Sequence, residues 1–329
     1  MKPQKVAIRD VAEAAGVSTA TVSLVYNDKG KIAAGTRRKV LEAGDRLGYQ
    51  PGWISKVFRS GRTHVIGVAV RHGESLIWEQ TYLPYYRGII AGAAMEALEH
   101  GYSIAAVRTD ESGRLNEPIP LDGLIVVDPA PSDLIIRHAL EQGRAVVADG
   151  GYSDADPSAR LRSVRSALEE GIPSALDALA GHGSTRPAFF RGGADDEYTI
   201  SSQRAYETWC SERGIASNVY LLGSDQSPIE GARELLSGSH GAVDGVHCLN
   251  ATYSSAITEA AAEAGLVVPK DLAVSVVGEA SAALDPRLVY LDLDPIEMGA
   301  RCARTLIELL EGGSPDDVVL PMALTQPKS

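Results

Sequence analysis

The side chains with the most evident chemical use lie together in Ser18-Thr19-Ala20-Thr21-Val22-Ser23-Leu24. Hydroxyls and methyls are mixed there, and no charge interrupts them. Held on the outside of a helix, Thr19 and Ala20 offer methyl contacts to thymine, and the Thr19 hydroxyl can hydrogen-bond a base edge. Ser18, Thr21, Ser23 and the following Asn27 are better placed for phosphate oxygens, helped by the positive end of a helix. Arg9, Lys31, Arg37 and Arg59 are further phosphate candidates, set against the plainer use of a lone arginine as a solvated charge.

The elements that must hold these groups are legible. Val11, Ala12 and Ala15 share one face at helical spacing. Gly16 falls where a left-handed C-cap is wanted. Ser18 stands at an N-cap position, and Val22 and Val25 continue the apolar face. Two short helices around a tight turn make a helix-turn-helix, its second helix free to enter a major groove. An ordinary helical hairpin inside an enzyme is the competing reading. A third helix is expected from about Thr36, as N-cap, to Leu47, with Val40, Leu41 and Leu47 as its apolar stripe and Gly48 as its close. Tyr49-Gln50-Pro51 breaks it, because proline disfavours helical geometry in the residue before it.

Charge supports DNA over the hairpin. The formal net charge is −12, yet residues 1–63 hold 12 basic and 5 acidic side chains, leaving 19 and 38 for the remainder. A basic head on an acidic body fits a head that meets phosphates and a body that does not. The 44% hydrophobic and 22% charged content is that of a soluble globular protein. There is neither an apolar run long enough to span a bilayer nor an apolar signal region, so a cytoplasmic location is expected. Cys210, Cys248 and Cys302 are far apart and show no metal-type spacing. No metal or cofactor is expected.

Beyond residue 63 strands and helices alternate. Val65–Val70 reads as a buried parallel strand. Helices are expected at about 87–100, 132–142, 166–181, 201–213, 228–236, 253–264 and 296–311. Strands are expected at about 102–107, 121–127, 144–148, 186–190, 217–222, 244–249 and 272–277. This alternation marks doubly wound parallel sheets, and the length exceeds one typical domain. Asp149 ends a buried strand at a C-terminal edge, where ligands bind in such sheets.

Residues 6–63 resemble the headpiece and hinge of the lactose-repressor (LacI/GalR-type) family. The resemblance rests on Ile8–Ser23, Thr36–Pro51 (with Val40-Leu41-Glu42-Ala43 and Leu47-Gly48-Tyr49) and Arg59-Ser60-Gly61-Arg62-Thr63. The body is similar through Val65–Val68, Arg87-Gly88, Gly101-Tyr102, Asp122-Gly123, Pro269–Val274 and Val277-Gly278. The resemblance implies a helix-turn-helix headpiece at 1–50 and a hinge helix at 51–63. Residues 64–329 would form a periplasmic-binding-protein-like α/β body of two doubly wound parallel-sheet subdomains, at about 64–164 plus 294–320 and about 165–293 plus 321–329. It also implies a homodimer on a pseudo-palindromic operator, with a small effector in the cleft shifting operator affinity. The chain ends at Ser329 soon after the last strand, which favours a dimer over a tetramer.

The departures from the family pattern are specific. Leu24 stands where most members carry a guanine-gripping Arg, so an apolar contact with a thymine methyl is expected; membership of the head's own core is the alternative. Ala7 stands where a Thr usually caps the first helix, a loss of about 1 kcal/mol. Phe58 lies where the family wedges a Leu into the minor groove, with Ser55 and Lys56 beside it; packing against Trp53 and Val57 is the plainer alternative. In the cleft, Arg204 matches a sugar-binding Arg, against the simpler reading of a surface helix Arg. Asn250 keeps half of an Asn-Asp pair, the other half being Ala251. Gly278-Glu279-Ala280-Ser281 replaces the pattern that carries a hydroxyl-gripping carboxylate. Asp292 stands where Arg is usual, Gln226 where an aromatic often stacks on a sugar, and Tyr85 and Tyr86 are candidates for the opposite wall.

Enzymatic signatures are missing: there is no phosphate-binding Walker loop, no dinucleotide glycine fingerprint and no Gly-x-Ser-x-Gly elbow. Gly181-His182-Gly183-Ser184 reads as a helix terminus, His247-Cys248 as core, and Asp195-Asp196-Glu197 as a solvated loop. The reading is a DNA-binding regulator, a repressor and not an enzyme, controlled by a saccharide or other polar metabolite. A solute-binding module whose head no longer reads DNA specifically is the alternative.

Overall fold

The computed structural model describes residues 6–26, 29–49, 61–70, 83–110, 112–116, 120–152, 160–238, 242–278 and 285–326. The chain divides into two compact units, Met1–Thr63 and His64–Ser329. Among the expected site residues, Asn27, Ser55, Lys56, Phe58, Arg59 and Glu279 lie outside the described residues, as does the hinge segment 51–60.

The first unit holds α1 (Ile8–Ala15), α2 (Thr19–Tyr26) and α3 (Ala34–Leu47). Its core is Val11, Ala12, Val22, Val25, Val40 and Ala43. Gly16 takes the left-handed conformation (φ 65°) that stops α1, and Val17 N–H closes the cap on the Ala12 carbonyl at 3.0 Å. Ser18 caps α2, its hydroxyl oxygen accepting from Thr21 N–H at 3.1 Å. Two expectations fail on α3. The helix starts at Ala34 behind Ala33, so Thr36 lies inside it rather than capping it. The buried stripe is Val40, Ala43 and Gly44, while Leu41 and Leu47 face outward. The Tyr26 hydroxyl stands against Gly44, where any side chain would overlap it.

The second unit has two sheets. The first comprises β1 (Val65–Val70), β2 (Ser103–Thr109), β3 (Leu115–Asn116), β4 (Gly123–Val127), β5 (Ala145–Asp149), β6 (Leu161–Ser166) and β12 (Val318–Leu320). Their order is β12-β6-β5-β4-β1-β2-β3, parallel except for β3. The helices around it are α4 (Leu83–Glu99), α5 (Leu134–Glu141) and α10 (Pro295–Leu310). Period-two alternation sends Ile66, Val68, Ile125 and Val127 to one core and Ala69, Leu124 and Val126 to another on the opposite face.

The second sheet comprises β7 (Pro187–Arg191), β8 (Val219–Leu221), β9 (Gly245–Cys248), β10 (Ala273–Gly278), β11 (Val289–Asp292) and β13 (Leu324–Thr325). Its order is β13-β11-β10-β9-β7-β8, parallel except for β13. It packs with α6 (Leu168–Gly181), α7 (Glu197–Glu212), α8 (Pro228–Leu236) and α9 (Ala251–Glu263). The chain passes between the two sheets after β6, β11 and β12. Strands β3, β6, β11, β12 and β13 had no counterpart in the sequence reading. The backbones of α4 and α10 come close because Gly92 and Gly299 lack side chains: a methyl on either would overlap a backbone carbonyl of the other helix. Among the described residues no helix is long and apolar enough to cross a membrane.

Candidate functional site

In the first unit, α2 presents its outer face free of charge. Val22 and Val25 are buried, while Thr19, Ala20 and Leu24 are exposed. Ala20 and Leu24, four residues apart, share a face one turn apart. Ser18 spends its oxygen on the cap and its hydroxyl lies 2.9 Å from that of Thr21. Thr21 and Ser23 are half-buried at the edges of this face. Arg9 is exposed, 3.5 Å from Asp10. Lys31 is exposed and Arg37 half-buried. Ala7 has no side chain to cap α1; the Asp10 carboxylate instead accepts from Ala7 N–H at 2.7 Å, so half of a capping box survives.

In the second unit, the C-terminal edges of the two sheets carry the polar groups. Asp149 closes β5 fully buried (0% exposed). The Tyr85 hydroxyl, from the first turn of α4, donates to its two oxygens at 3.3 and 3.2 Å. Burial pushes the Asp149 carboxyl up to about 7, with the Tyr85 hydroxyl pulling slightly the other way. Burial, then the carboxylates of Asp149 and Asp128, drive the Tyr85 phenol well above its ordinary value. Tyr86, the next residue, is more deeply buried. It is packed into the core with Ile66 and Ile89, its ring edge-on to that of Tyr85 with centroids 5.9 Å apart.

The two sheets meet across this edge. Glu197 N–H donates to the Pro129 carbonyl at 3.0 Å. A side chain on Gly150 would lie 3.8 Å from Tyr198 Cβ and 3.6 Å from Asp128 Oδ1, so the Asp149-Gly150 corner runs between them. The Tyr198 hydroxyl donates to the Leu249 carbonyl at 3.1 Å. Asp195-Asp196-Glu197 is therefore no solvated loop. Asp196 caps α7, accepting from Thr199 N–H at 2.8 Å and its hydroxyl at 3.0 Å, and burial raises its carboxyl.

The remaining cleft candidates are spread more widely. Asn250 caps α9, its side-chain oxygen accepting from Tyr253 N–H at 3.1 Å. Asp292 ends β11 beside Gly278. Arg204 lies on the exposed side of α7, its charge acting on Glu169 at the start of α6. Gln226 spends its amide on Glu234 at 2.8 Å, the Tyr220 hydroxyl at 3.2 Å and Gly223 N–H at 3.3 Å, which leaves little of it for a ligand. Sequence reasoning missed Arg191, Asp128 and Tyr198. Arg191 ends β7 as Asp149 ends β5, and its guanidinium is fixed by Gln203 Oε1 (2.8 Å) and the carbonyls of Gly192 (2.9 Å) and Ala194 (3.0 Å). Among the described residues no group of three or more His, Cys, Asp or Glu is placed to hold a metal.

A helix-turn-helix head joined to a two-sheet body with polar strand ends defines a class: regulators built on a periplasmic-binding-protein-like body. Residues 7–52 match "Bacterial regulatory proteins, lacI family", and residues 176–329 match "Periplasmic binding protein-like domain". The chain belongs to the lacI family of bacterial regulatory proteins and is a DNA-binding transcriptional regulator. It is 27% identical over 322 residues to the "HTH-type transcriptional regulator RegA" of Clostridium saccharobutylicum, covering 92% of each chain. It is 26% identical over 329 residues to the "HTH-type transcriptional repressor PurR" of Aliivibrio fischeri strain MJ11, covering 92% of this chain and 91% of that one. In fold it is similar to the lac repressor dimer bound to operator and the anti-inducer ONPF, with a TM-score of 0.80 at 22% identity over 99% of each chain. It is also similar to a complex of the regulator CelR with cellobiose, with a TM-score of 0.67 at 22% identity over 97% of this chain and 98% of that one.

Proposed function

We propose that the protein is a sequence-specific repressor that acts as a homodimer on a pseudo-palindromic operator, and that a small polar effector between the two sheets sets its affinity. The observation that carries the reading is the outer face of α2, where Thr19, Ala20 and Leu24 stand exposed on a head rich in Lys and Arg. Thr19 and Ala20 read base edges from the first turn of the helix. Ser18, Thr21, Ser23, Arg9, Lys31 and Arg37, with Asn27, position the head on phosphates. The segment around Phe58, with Ser55, Lys56 and Arg59, adds minor-groove contacts.

The effector reading is supported by Asp149 and Tyr85, a polar pair at the C-terminal edge where the two sheets meet. Asn250, Asp292 and Glu279 belong to the opposite wall in this reading, with Arg204 and Gln226 peripheral. A saccharide or similar metabolite offers hydroxyls to such carboxylates, and the complexes of the lac repressor with the anti-inducer ONPF and of CelR with cellobiose support a small ligand there. A ligand that prefers one arrangement of the two halves shifts the population and so the DNA affinity. The reading assigns the protein no catalysis and a place in the cytoplasm.

The test is a gel-shift titration of the full chain on the region upstream of its own gene and on a scrambled duplex, with and without a panel of sugars and polar metabolites. Preference for the natural region, altered by one of the ligands, is expected. Equal affinity for both duplexes sinks the repressor reading and leaves a solute-binding module; thermal melts unmoved by every ligand sink effector control.

A further inference from the structure

The outer face of α2 contains an apolar knob. Leu24 is 37% exposed on a helix whose sequence, Thr-Ala-Thr-Val-Ser-Leu-Val-Tyr, carries no charge. Beyond the helix, Lys29 and Gly30 come back toward Leu24. Lys29 N–H donates to the Leu24 carbonyl at 3.1 Å, and Ile32 N–H to the Gly30 carbonyl at 3.1 Å. The isobutyl group leans toward Gly30, at φ +78°: a Cβ there would stand in ordinary contact, 3.6 and 3.7 Å from its two terminal methyls. The terminal methyls of Leu24 are thus backed by the loop at Gly30 on one side, and the residue stays 37% exposed, one turn beyond the exposed Ala20.

We propose that Leu24 reads the C5-methyl group of a pyrimidine in the major groove, and that it does so whether the base is thymine or 5-methylcytosine, which makes DNA binding responsive to cytosine methylation. The inference rests on the DNA-reading role proposed above. In the major groove a thymine differs from a cytosine by an O4 acceptor in place of an N4 donor and by its C5-methyl. A leucine has neither donor nor acceptor, so O4 and N4 are alike to it. The methyl is the one feature it can favour, through apolar area removed from water. Thymine and 5-methylcytosine carry that methyl at the same ring position. Burying one methyl is worth about fourfold in affinity per half-site. Because Leu24 is already held against the turn, little side-chain freedom is lost on contact.

The experiment uses the full chain. A duplex is first selected from a random pool, then thymines in its half-sites are replaced one at a time by uracil, which removes only the methyl. At the same positions cytosine is compared with 5-methylcytosine, each paired with guanine. Affinity is read by fluorescence anisotropy. At one position per half-site, thymine is expected to bind about fourfold tighter than uracil, and 5-methylcytosine tighter than cytosine by a similar factor. Both ratios should fall toward one in Leu24→Ala. Specific binding with no thymine-to-uracil difference at any position overturns the inference and spares the regulator reading. So does a methyl effect that persists unchanged in Leu24→Ala, or an effect of thymine's methyl without one of 5-methylcytosine's. Selection that enriches no sequence overturns both.

Discussion

Asp149→Asn is the sharpest test of how the body is built. The carboxyl is fully buried and holds its proton up to about 7, against an ordinary value of 3.8. In the unfolded chain it releases that proton near its ordinary value. Between about pH 4 and 7 the folded state binds more protons than the unfolded, so stability falls as pH rises through this window and is flat above it. The full effect amounts to about 4 kcal/mol, an upper estimate because a shifted structure or entering water relieves part of it. His247 works in the opposite sense. It is buried against Ser275 and pushed by burial down to about 4 from 6.5, so its contribution is lost as pH drops through that range. The two slopes oppose each other in the wild type. Asparagine keeps the size of Asp149 and an oxygen for the Tyr85 hydroxyl but cannot ionise. Urea unfolding of the full chain by circular dichroism, from pH 5 to 8, should show Asp149→Asn more stable than wild type at pH 8 by a few kcal/mol. The variant should also show stability rising from pH 5 to 6.5, with the opposing slope gone. A variant whose pH profile parallels the wild type's would refute the buried-proton argument.

Three further outcomes follow from the packing. Gly44→Ala gains about 1 kcal/mol of helix propensity but drives a methyl into the Tyr26 ring, which also makes an edge contact with Tyr49 at 5.3 Å. Overpacking costs about 1–3 kcal/mol, so the net is a loss, read as faster amide exchange in α3; slower exchange would reverse the sign of the argument. Gly92→Ala sets a methyl against the backbone of Ile296, which has no rotamer to yield. A fall in the melting temperature of the body is expected, and an unchanged one would mean that α4 and α10 are less closely packed. Ser18→Ala removes the cap on α2 and should cost about 1 kcal/mol, visible as faster exchange at Thr21 N–H; unchanged protection there would remove the cap from the account.

Much of the fold was legible because its signals are local. Helical spacing at Val11, Ala12, Val22 and Val25, with Gly16 and Ser18 as stop and start, located the head. Continuous apolar runs such as Leu124–Val127 located the inner strands, since parallel strands are covered on both faces. The missed strands lack that run. In β6, Leu-Arg-Ser-Val-Arg-Ser, only Leu161, Val164 and Ser166 are buried, and β12 sits at a sheet edge with Val319 exposed. The start of α7 was missed because Asp195-Asp196-Glu197 reads as polar loop, whereas Asp196 is a buried helix cap. The cleft was only partly legible. A charge ending a buried run singles out Asp149, and the same rule applies to Arg191. Positions carried across by resemblance depend on helix register, and one or two residues of offset turn a side chain such as Arg204 from the cleft to the surface. Gln226 is taken up by a network with Tyr220 and Glu234, distant in sequence and invisible to a motif.

The central claim is that the face of α2 chooses the DNA sequence. Random-pool selection with the full wild-type chain and with Ala20→Gln tests it most directly. Glutamine can pair with adenine in the major groove, whereas alanine offers only a methyl. The account predicts a two-fold symmetric site for the wild type, and for the variant a site changed at one base pair of each half, with unchanged body stability. The same site for both proteins, or none for either, would contradict it.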